Sequence, residues 1–373
     1  MHMDSRYHIA DTSRIITPAL VLFRELIERN VEEMIRIAGG AHRLRPHAKT
    51  HKLTEITRLE VDRGILKHKC ATLAEAEMLA DAGVRDIFLA YPIVGPNIGR
   101  VVRFLEVFPH VQLSVAGDHP APLAALGSAA QVAGKTVGVV LDLDVGQHRT
   151  GATIGDNAAA LYGLIARTPG LRAEGLHIYD GHHHQTDLVE RQAAVDAVWR
   201  KATAFRDRLV AAGLPVPRII AGGTCSFPAF ASYDDPALEL SPGTVVFHDA
   251  GYARMYPDLD FTPAALVLTR VISRPTPERV TCDLGYKAIA SDPPAGSRLI
   301  FPNLPDAKCV LQNEEHLVFE TARAAEFAPG DELLAVPTHI CPTSALHQQV
   351  YVIKEGNVSD VWRIAARDRI LSV

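Results

Sequence analysis

GVVLDLDVGQHRTG, residues 138–151, decides how the chain is read: a short β-branched run, 138–143, empties into a polar, glycine-bearing loop that carries Arg149. Such runs alternate with longer amphipathic stretches from about Pro18 to Thr224, the pattern of repeated βα units around a parallel sheet. Working outward, seven further candidate strands centre on residues 19–21, 45–47, 69–71, 88–90, 113–115, 175–179 and 219–221. Between the first two, Phe23, Leu26, Ile27, Met34, Ile35 and Ala38 fall largely on one helical face, which Gly39 and Gly40 end. Helical stretches 74–82 and 187–212 stop in the same way at Gly83 and Gly213. Eight strands with intervening helices predict an α/β fold whose main domain, residues 16–260, is a closed (β/α)8 TIM-type barrel.

After about Phe261 the texture changes. Short β-rich runs at 265–272, 280–283, 316–319, 332–336 and 350–353 are separated by Pro, Gly and Asp, with no long helix between them. This predicts a second, mainly β C-terminal domain over 261–373, joined by about residues 1–15, with a first strand at 7–9. No repeat of fixed period and no low-complexity segment interrupts either part.

Composition narrows the function. The formal charge of -5 is modest for 373 residues, and no basic stripe interleaved with aromatics offers nucleic acid a footprint. A small-molecule ligand is expected. No apolar run reaches the length that crosses a bilayer, and MHMDSRYHIADTSR (residues 1–14) lacks the apolar centre of a signal peptide, so a cytoplasmic protein is expected. The five cysteines are odd in number and scattered, which reads as buried thiols with one candidate metal ligand rather than a disulfide framework.

Reactive groups in such barrels collect at the C-terminal ends of the strands. The second candidate strand ends Arg45-Pro46-His47-Ala48-Lys49-Thr50-His51-Lys52, a run of cations and imidazoles. A lysine crowded by cations has its ammonium form destabilised, and its neutral amine can then form a Schiff base with an aldehyde. Lys49 is the first choice and Lys52 the second, with His47 as a companion catalytic candidate; the competing reading is a solvated basic loop. Gly222-Gly223-Thr224 closes the eighth strand, where two glycines admit backbone N–H groups close to an anion and a hydroxyl completes the nest. A plain tight turn is the alternative there. Tyr179 opens a stretch ending in His182-His183-His184; adjacent histidines on extended chain point apart, so at most one lines a site. His339 and Cys341, read as positions i and i+2 of a strand, would face one side and share one ion; a buried cysteine beside a satisfied histidine is the alternative.

Together these residues resemble the D-threonine aldolase and D-serine dehydratase group of fold type III pyridoxal-phosphate enzymes, the alanine-racemase-like class, over nearly the whole chain. Residues 45–52 are similar to that family's cofactor-lysine motif, whose first lysine, here Lys49, bears the cofactor. Residues 144–149 match the segment whose arginine, here Arg149, faces the pyridine nitrogen, while Tyr179 and Gly222-Gly223-Thr224 match positions at the ring and the phosphate. His339-Ile340-Cys341 with Pro342-Thr343 and His347 resembles the metal segment. The resemblance implies pyridoxal 5'-phosphate, a divalent metal (zinc or manganese, with magnesium a third candidate), a homodimer, and a β-hydroxy D-amino acid as substrate. Cys341 is dehydratase-like, whereas Pro342-Thr343 and Leu346-His347 are aldolase-like, as is the wider texture that includes residues 144–147. The expected activity is therefore a lyase of D-threonine aldolase type, giving glycine and an aldehyde, ahead of a D-serine or 3-hydroxy-D-aspartate dehydratase (ammonia-lyase). An amino-acid racemase and a non-catalytic pyridoxal-phosphate carrier rank below these. A barrel metallohydrolase built on His47, His51 and His182 to His184 is the rival without a visible chromophore.

Overall fold

A computed structural model describes residues 5–373, which fall into two compact units. One comprises the chain up to Met34 with Thr50–Leu53 and Thr244–Asp368; the other comprises Ile35–Lys49, Thr54–Gly243 and Arg369–Val373. The limits expected from sequence, 16–260 and 261–373 with about 1–15, shift accordingly, and the reason lies in strand pairing.

Ala19–Phe23 is the strand that moves. It pairs antiparallel with Ala265–Thr276, setting Leu20 opposite Val267, and parallel with Gln349–Lys354, setting Leu22 beside Val352. It is therefore a central strand of the β unit and not the first strand of the barrel. All five of its residues are buried, so it reads like a barrel strand until its partners are known. The β unit's sheet runs in the order Lys308–Gln312, Leu317–Glu320, Arg279–Cys282, Ala265–Thr276, Ala19–Phe23, Gln349–Lys354, Asn357–Arg363. Glu332–Pro337 pairs with Ala265–Thr276, and Leu299–Ile300 with Glu332–Pro337. Val21, Phe23, Leu266, Leu268 and Ile353 pack as the core of this unit. The strand expected at 7–9 is absent; Ser5–Tyr7 makes a 3-10 turn, and residues 1–4 of the expected segment lie outside the described residues. Tyr7 nonetheless ties the segment down, its hydroxyl donating to the Pro263 carbonyl at 3.0 Å and its ring meeting Phe23 edge-on at 5.2 Å.

The other unit is the expected (β/α)8 barrel. Lys67–Cys70, Asp86–Pro92, Gln112–Gly117, Val137–Asp144, Leu171–Ile178, Ile219–Ala221 and Leu238–Leu240 run parallel in that order. Residues 44–47 close the ring as the eighth stave, bridging in parallel to Leu240 on one side and Lys69 on the other. The Arg45 and His47 amides donate to the Leu240 and Pro242 carbonyls at 2.7 and 2.8 Å, and the Lys69 amide donates to the Pro46 carbonyl at 2.9 Å. Leu238–Leu240, three residues with a charged Glu239 at the centre, is the stave that hydropathy alone passes over. Helices fall where their signals stand. Arg24–Ala38 ends at Gly39, whose φ of 77° a side-chain-bearing residue adopts at a cost. Leu73–Asp81 and Leu188–Ala211 begin at Thr72 and Asp187, whose side chains accept the Glu75 and Glu190 amides. No helix among the described residues is long and apolar enough to cross a membrane.

Buried charge also crosses the seam of the barrel ring. Arg45 is fully buried, its guanidinium 2.9 Å from Asp86 and 2.5 Å from Glu239, with further bonds to the His68 and Asp86 carbonyls. Lys67 adds to Glu239 at 3.0 Å, while Arg218 bridges Asp86 and Glu174 at 3.2 Å each. Burial alone would raise the Asp86 and Glu239 carboxyls, but the charge and hydrogen bonds of Arg45 outweigh it and hold both below the usual carboxylate range. Glu239→Ala is expected to destabilise the barrel by about 3 kcal/mol, because it strands a buried guanidinium. Arg172→Ala, half-exposed beside Glu174, should cost under about 1 kcal/mol. Urea unfolding of both variants checks the contrast. Since the folded carboxyls titrate below their unfolded values, their stabilisation is complete at neutral pH and fades as acid approaches their folded values. The gap between wild type and Glu239→Ala should accordingly narrow below about pH 4.

Candidate functional site

At the C-terminal ends of the staves, three cations gather on one aromatic ring. Tyr179 follows the stave Leu171–Ile178, and its ring centroid lies 4.9 Å from the Arg149 guanidinium carbon, 5.6 Å from Lys69 Nζ and 6.0 Å from Lys49 Nζ. Each cation comes from a different segment: Lys49 from the loop after residues 44–47, Lys69 from Lys67–Cys70, and Arg149 from the loop after Val137–Asp144. Cation–π attraction to the ring offsets part of their mutual repulsion. The remainder favours an anionic ligand.

The glycine turn stands on the same tyrosine. A Cβ on Gly223 would come within 3.3 Å of Tyr179 Cε2, and one on Gly222, at φ 79°, within 3.2 Å of Phe227 Cα. A side chain at Gly222 would be strained by the positive φ, and one at Gly223 would have to displace the Tyr179 ring by a few tenths of an ångström. Ser226 braces the turn, accepting the Gly223 amide at 3.0 Å while its hydroxyl donates to buried Asp180 at 2.9 Å. Thr224 is buried beside it. A pyridoxal phosphate fits this set: an amine for its aldehyde, a ring-sized aromatic neighbour, a guanidinium, and a glycine turn free of side-chain bulk for its phosphate.

His47 is buried, and its Nδ1 accepts the Lys49 amide at 3.3 Å, so this imidazole supports the loop that presents Lys49. Lys52, at φ 54°, belongs to the β unit, where its carbonyl accepts the Ala366 amide. Of the three consecutive histidines, His183 faces Asp180 at 3.4 Å, His182 packs on the His183 ring at 4.1 Å, and His184 is exposed. Among the described residues no three His, Cys, Asp or Glu side chains gather as a metal cluster.

In the β unit, His339 and Cys341 do meet, though not on a strand. His339 caps the helix Ile340–Leu346, and Cys341 lies in its first turn. The strand expected here ends at Pro337, and Asp249 fixes the turn by accepting the Ile340 amide at 3.1 Å. Cys341 Sγ lies 3.2 Å from the Thr50 hydroxyl and 3.5 Å from that of Thr244. His339 Nδ1 lies 2.6 Å from Asp292 Oδ2. Burial would lower the His339 pKa, but Cys341 and Asp292 carry it up to about 9; burial would raise Cys341, but His339 and the two threonine hydroxyls bring it below its usual value. The pair therefore favours a thiolate, the form in which cysteine binds metal, and a carboxylate behind the histidine is the usual support for a metal-bound imidazole. A divalent ion fits this donor set with two protein ligands. His347 is turned elsewhere, its Nε2 on the Ala288 carbonyl at 2.8 Å.

Sequence reasoning passed over Lys69, His177 and Asp142. All three are buried inside the barrel, with Lys69 Nζ 3.0 Å from His177 Nε2 and His177 Nδ1 2.7 Å from Asp142 Oδ1. The signal was available in Lys67-His68-Lys69-Cys70, a strand whose centre carries charge where apolar filling is the rule.

Known proteins agree with this architecture. The alanine racemase N-terminal domain family matches residues 24–250, and the serine dehydratase domain family matches 264–353. A D-threonine aldolase of Arthrobacter sp. is 32% identical over 95% of this chain and 93% of its own length. A 3-hydroxy-D-aspartate aldolase of Paracoccus denitrificans is 30% identical over 96% and 94%. The crystal structure of a D-threonine aldolase from Filomicrobium marinum superposes with a TM-score of 0.88 at 28% identity, covering 96% of each chain. Likeness at this level over nearly the full length of both chains settles membership: the chain belongs to the D-threonine aldolase and D-serine dehydratase family of alanine-racemase-like, fold type III enzymes, and is a pyridoxal-phosphate-dependent lyase.

Proposed function

We propose that this lyase is a divalent-metal-dependent D-threonine aldolase, cleaving a β-hydroxy D-amino acid between Cα and Cβ to glycine and an aldehyde. The observation that carries the reading is the convergence of Lys49 and Arg149 on Tyr179 beside a glycine turn, within a chain whose full-length relatives at 30% and 32% identity are aldolases. When bound, pyridoxal phosphate supplies the electron sink for charge at Cα. Lys49 would supply the amine that holds its aldehyde, Arg149 would hold the ring at its nitrogen, and Gly222, Gly223 and Thr224 would bind the phosphate. His47 orients the Lys49 loop. His339 and Cys341 hold a zinc or manganese ion, or magnesium, whose contribution is Lewis acidity towards a hydroxyl oxygen. The protein works in the cytoplasm as a homodimer, which light scattering and cell fractionation would check.

A dehydratase reading keeps one specific support, the thiolate-favouring Cys341 in place of a carboxylate ligand. Products separate the two. D-Threonine with added metal should yield glycine and acetaldehyde; ammonia and a keto acid from D-serine, without glycine, would reassign the chain to the dehydratases. Borohydride treatment of the loaded enzyme followed by peptide mapping should place the cofactor on Lys49, and a label on Lys52 would overturn that assignment.

Metal dependence has its own test. Chelation should abolish turnover while the visible absorbance of the bound cofactor survives. Cys341→Asp keeps an anionic ligand but exchanges soft sulfur for hard oxygen, so activity should persist with preference shifted from zinc towards manganese or magnesium. Cys341→Ala should lose most activity, whereas a purely structural thiol would tolerate alanine with a packing loss of about 1 kcal/mol.

A further inference from the structure

The barrel interior holds a chain of polar groups that the proposed cofactor contacts do not use. Barrels of this type are normally filled by layers of apolar side chains. Here Lys69, His177 and Asp142 are 3%, 4% and 5% exposed, contributed by three different staves. Starting at the rim, the Thr150 hydroxyl donates to Asp142 Oδ2 at 2.7 Å; Asp142 Oδ1 lies 2.7 Å from His177 Nδ1, and His177 Nε2 lies 3.0 Å from Lys69 Nζ. Phe88 closes the imidazole's other side, edge-on at 5.2 Å. Lys69 Nζ in turn shares the Tyr179 ring with Lys49.

Proton counting along this chain leaves one choice. Asp142 as a carboxylate accepts from Thr150 and from His177 Nδ1–H, which fixes the imidazole's orientation. The contact between His177 Nε2 and Lys69 then has room for one hydrogen: in the charged pair either the ammonium donates to a bare Nε2 or Nε2–H donates to a neutral amine, and once the pair has lost its proton the neutral amine donates to the bare Nε2. Two protons on that line would place two donors face to face in a buried site.

We propose that Lys69 and His177 share a single proton under the control of Asp142, and that the charge of this pair is a positioning device acting through Lys49, setting the electrostatic field at the cofactor-bearing nitrogen. The inference rests on Lys49 being the cofactor lysine. Its direction is consistent with the surroundings. Burial first, and then the charges of Lys49 and Arg149, bring Lys69 down to about 7, while Asp142 and Asp180 pull the other way. Burial and then Lys69 itself lower His177, against the hydrogen bond and charge of Asp142. For Asp142, burial would raise the carboxyl, but the hydrogen bonds of His177 and Thr150 hold it below its usual value. The pair therefore exchanges its proton with solvent near neutral pH, where a small change in acidity changes the charge beneath Tyr179.

The test reads the absorbance of the bound cofactor across pH 6 to 9 in the loaded enzyme. Wild type should show a spectral step near pH 7. Lys69→Met and the hydrogen-bonding Lys69→Gln should lack the step and keep the wild-type alkaline spectrum throughout. Lys69→Arg, cationic at every pH, should keep the wild-type acid spectrum throughout. Asp142→Asn, by removing the balancing anion, should move the step acidwards by about one unit or more, a tenfold loss in proton affinity. A structural role for Lys69 predicts instead that the step is absent from wild type or survives in every Lys69 variant, and either result overturns the proposal. Borohydride mapping on the same samples separates the causes. With the label on Lys49 and the step unaltered by the variants, the relay alone fails; with the label on another lysine, the cofactor assignment fails and the relay falls with it.

Discussion

The ion pairs of Arg45 are the constraint on which the candidate site depends. Residues 44–47 carry no strand-long ladder of their own; parallel bridges at Leu44 and His47 and a few backbone bonds attach them to the first and last strands of the sheet. The guanidinium two residues before His47 compensates, linking Asp86 and Glu239 across the seam. A buried charge is stabilising only when its partners are in place, so this knot favours the closed ring over any arrangement in which one stave has slipped. Lys49 leaves the ring immediately after that stave. The ring thus sets the point from which Lys49 departs towards Tyr179.

Much of the fold was legible because the βα alternation and its stop signals are local. Thr72, Asp187, Gly83 and Gly213 bound helices within a residue of where the sequence puts them, because capping and positive φ are properties of one or two residues. Strand membership is not local. Ala19–Phe23 and Val137–Asp144 are both apolar and buried, and nothing in their composition says that the former pairs with Ala265–Thr276 while the latter pairs with Leu171–Ile178. The count of eight came from including the wrong strand and missing Leu238–Leu240, two errors that cancel in number but not in place.

The site divides in the same way. Lys49, Arg149, Tyr179 and the glycine turn stand at strand ends in recognisable runs, and the structure brings them to one ring. Their roles toward a cofactor came from resemblance, since three cations near a tyrosine would suit other anions as well. His339 and Cys341 meet at a helix cap rather than through the strand alternation that the sequence suggested. Lys69 escaped notice because it lies within a strand, where charge is read as solvent exposure; in a barrel the inward face can be polar only if several staves contribute partners, and those partners are distant in sequence.

The balance of charge explains why these cations can coexist. Lys49, Lys69 and Arg149 bring positive charge to one ring, and the cost of holding it in a low dielectric falls mainly on Lys69, which is buried while Arg149 is exposed. Asp142 and Asp180 supply the compensating charge, each tied down by a hydroxyl, Thr150 and Ser226 respectively. Both carboxylates act on Lys69 by charge; in addition Asp142 is hydrogen-bonded to His177 and Asp180 to the serine that braces Gly223. The opposing charge is thereby kept within the barrel and at the glycine turn. An arrangement with the carboxylates at the ring would neutralise the same lysines. Asp142 stands two hydrogen bonds from Lys69, by way of His177, and this spacing lets the barrel bury the lysine near a carboxylate while its Nζ still meets the Tyr179 ring.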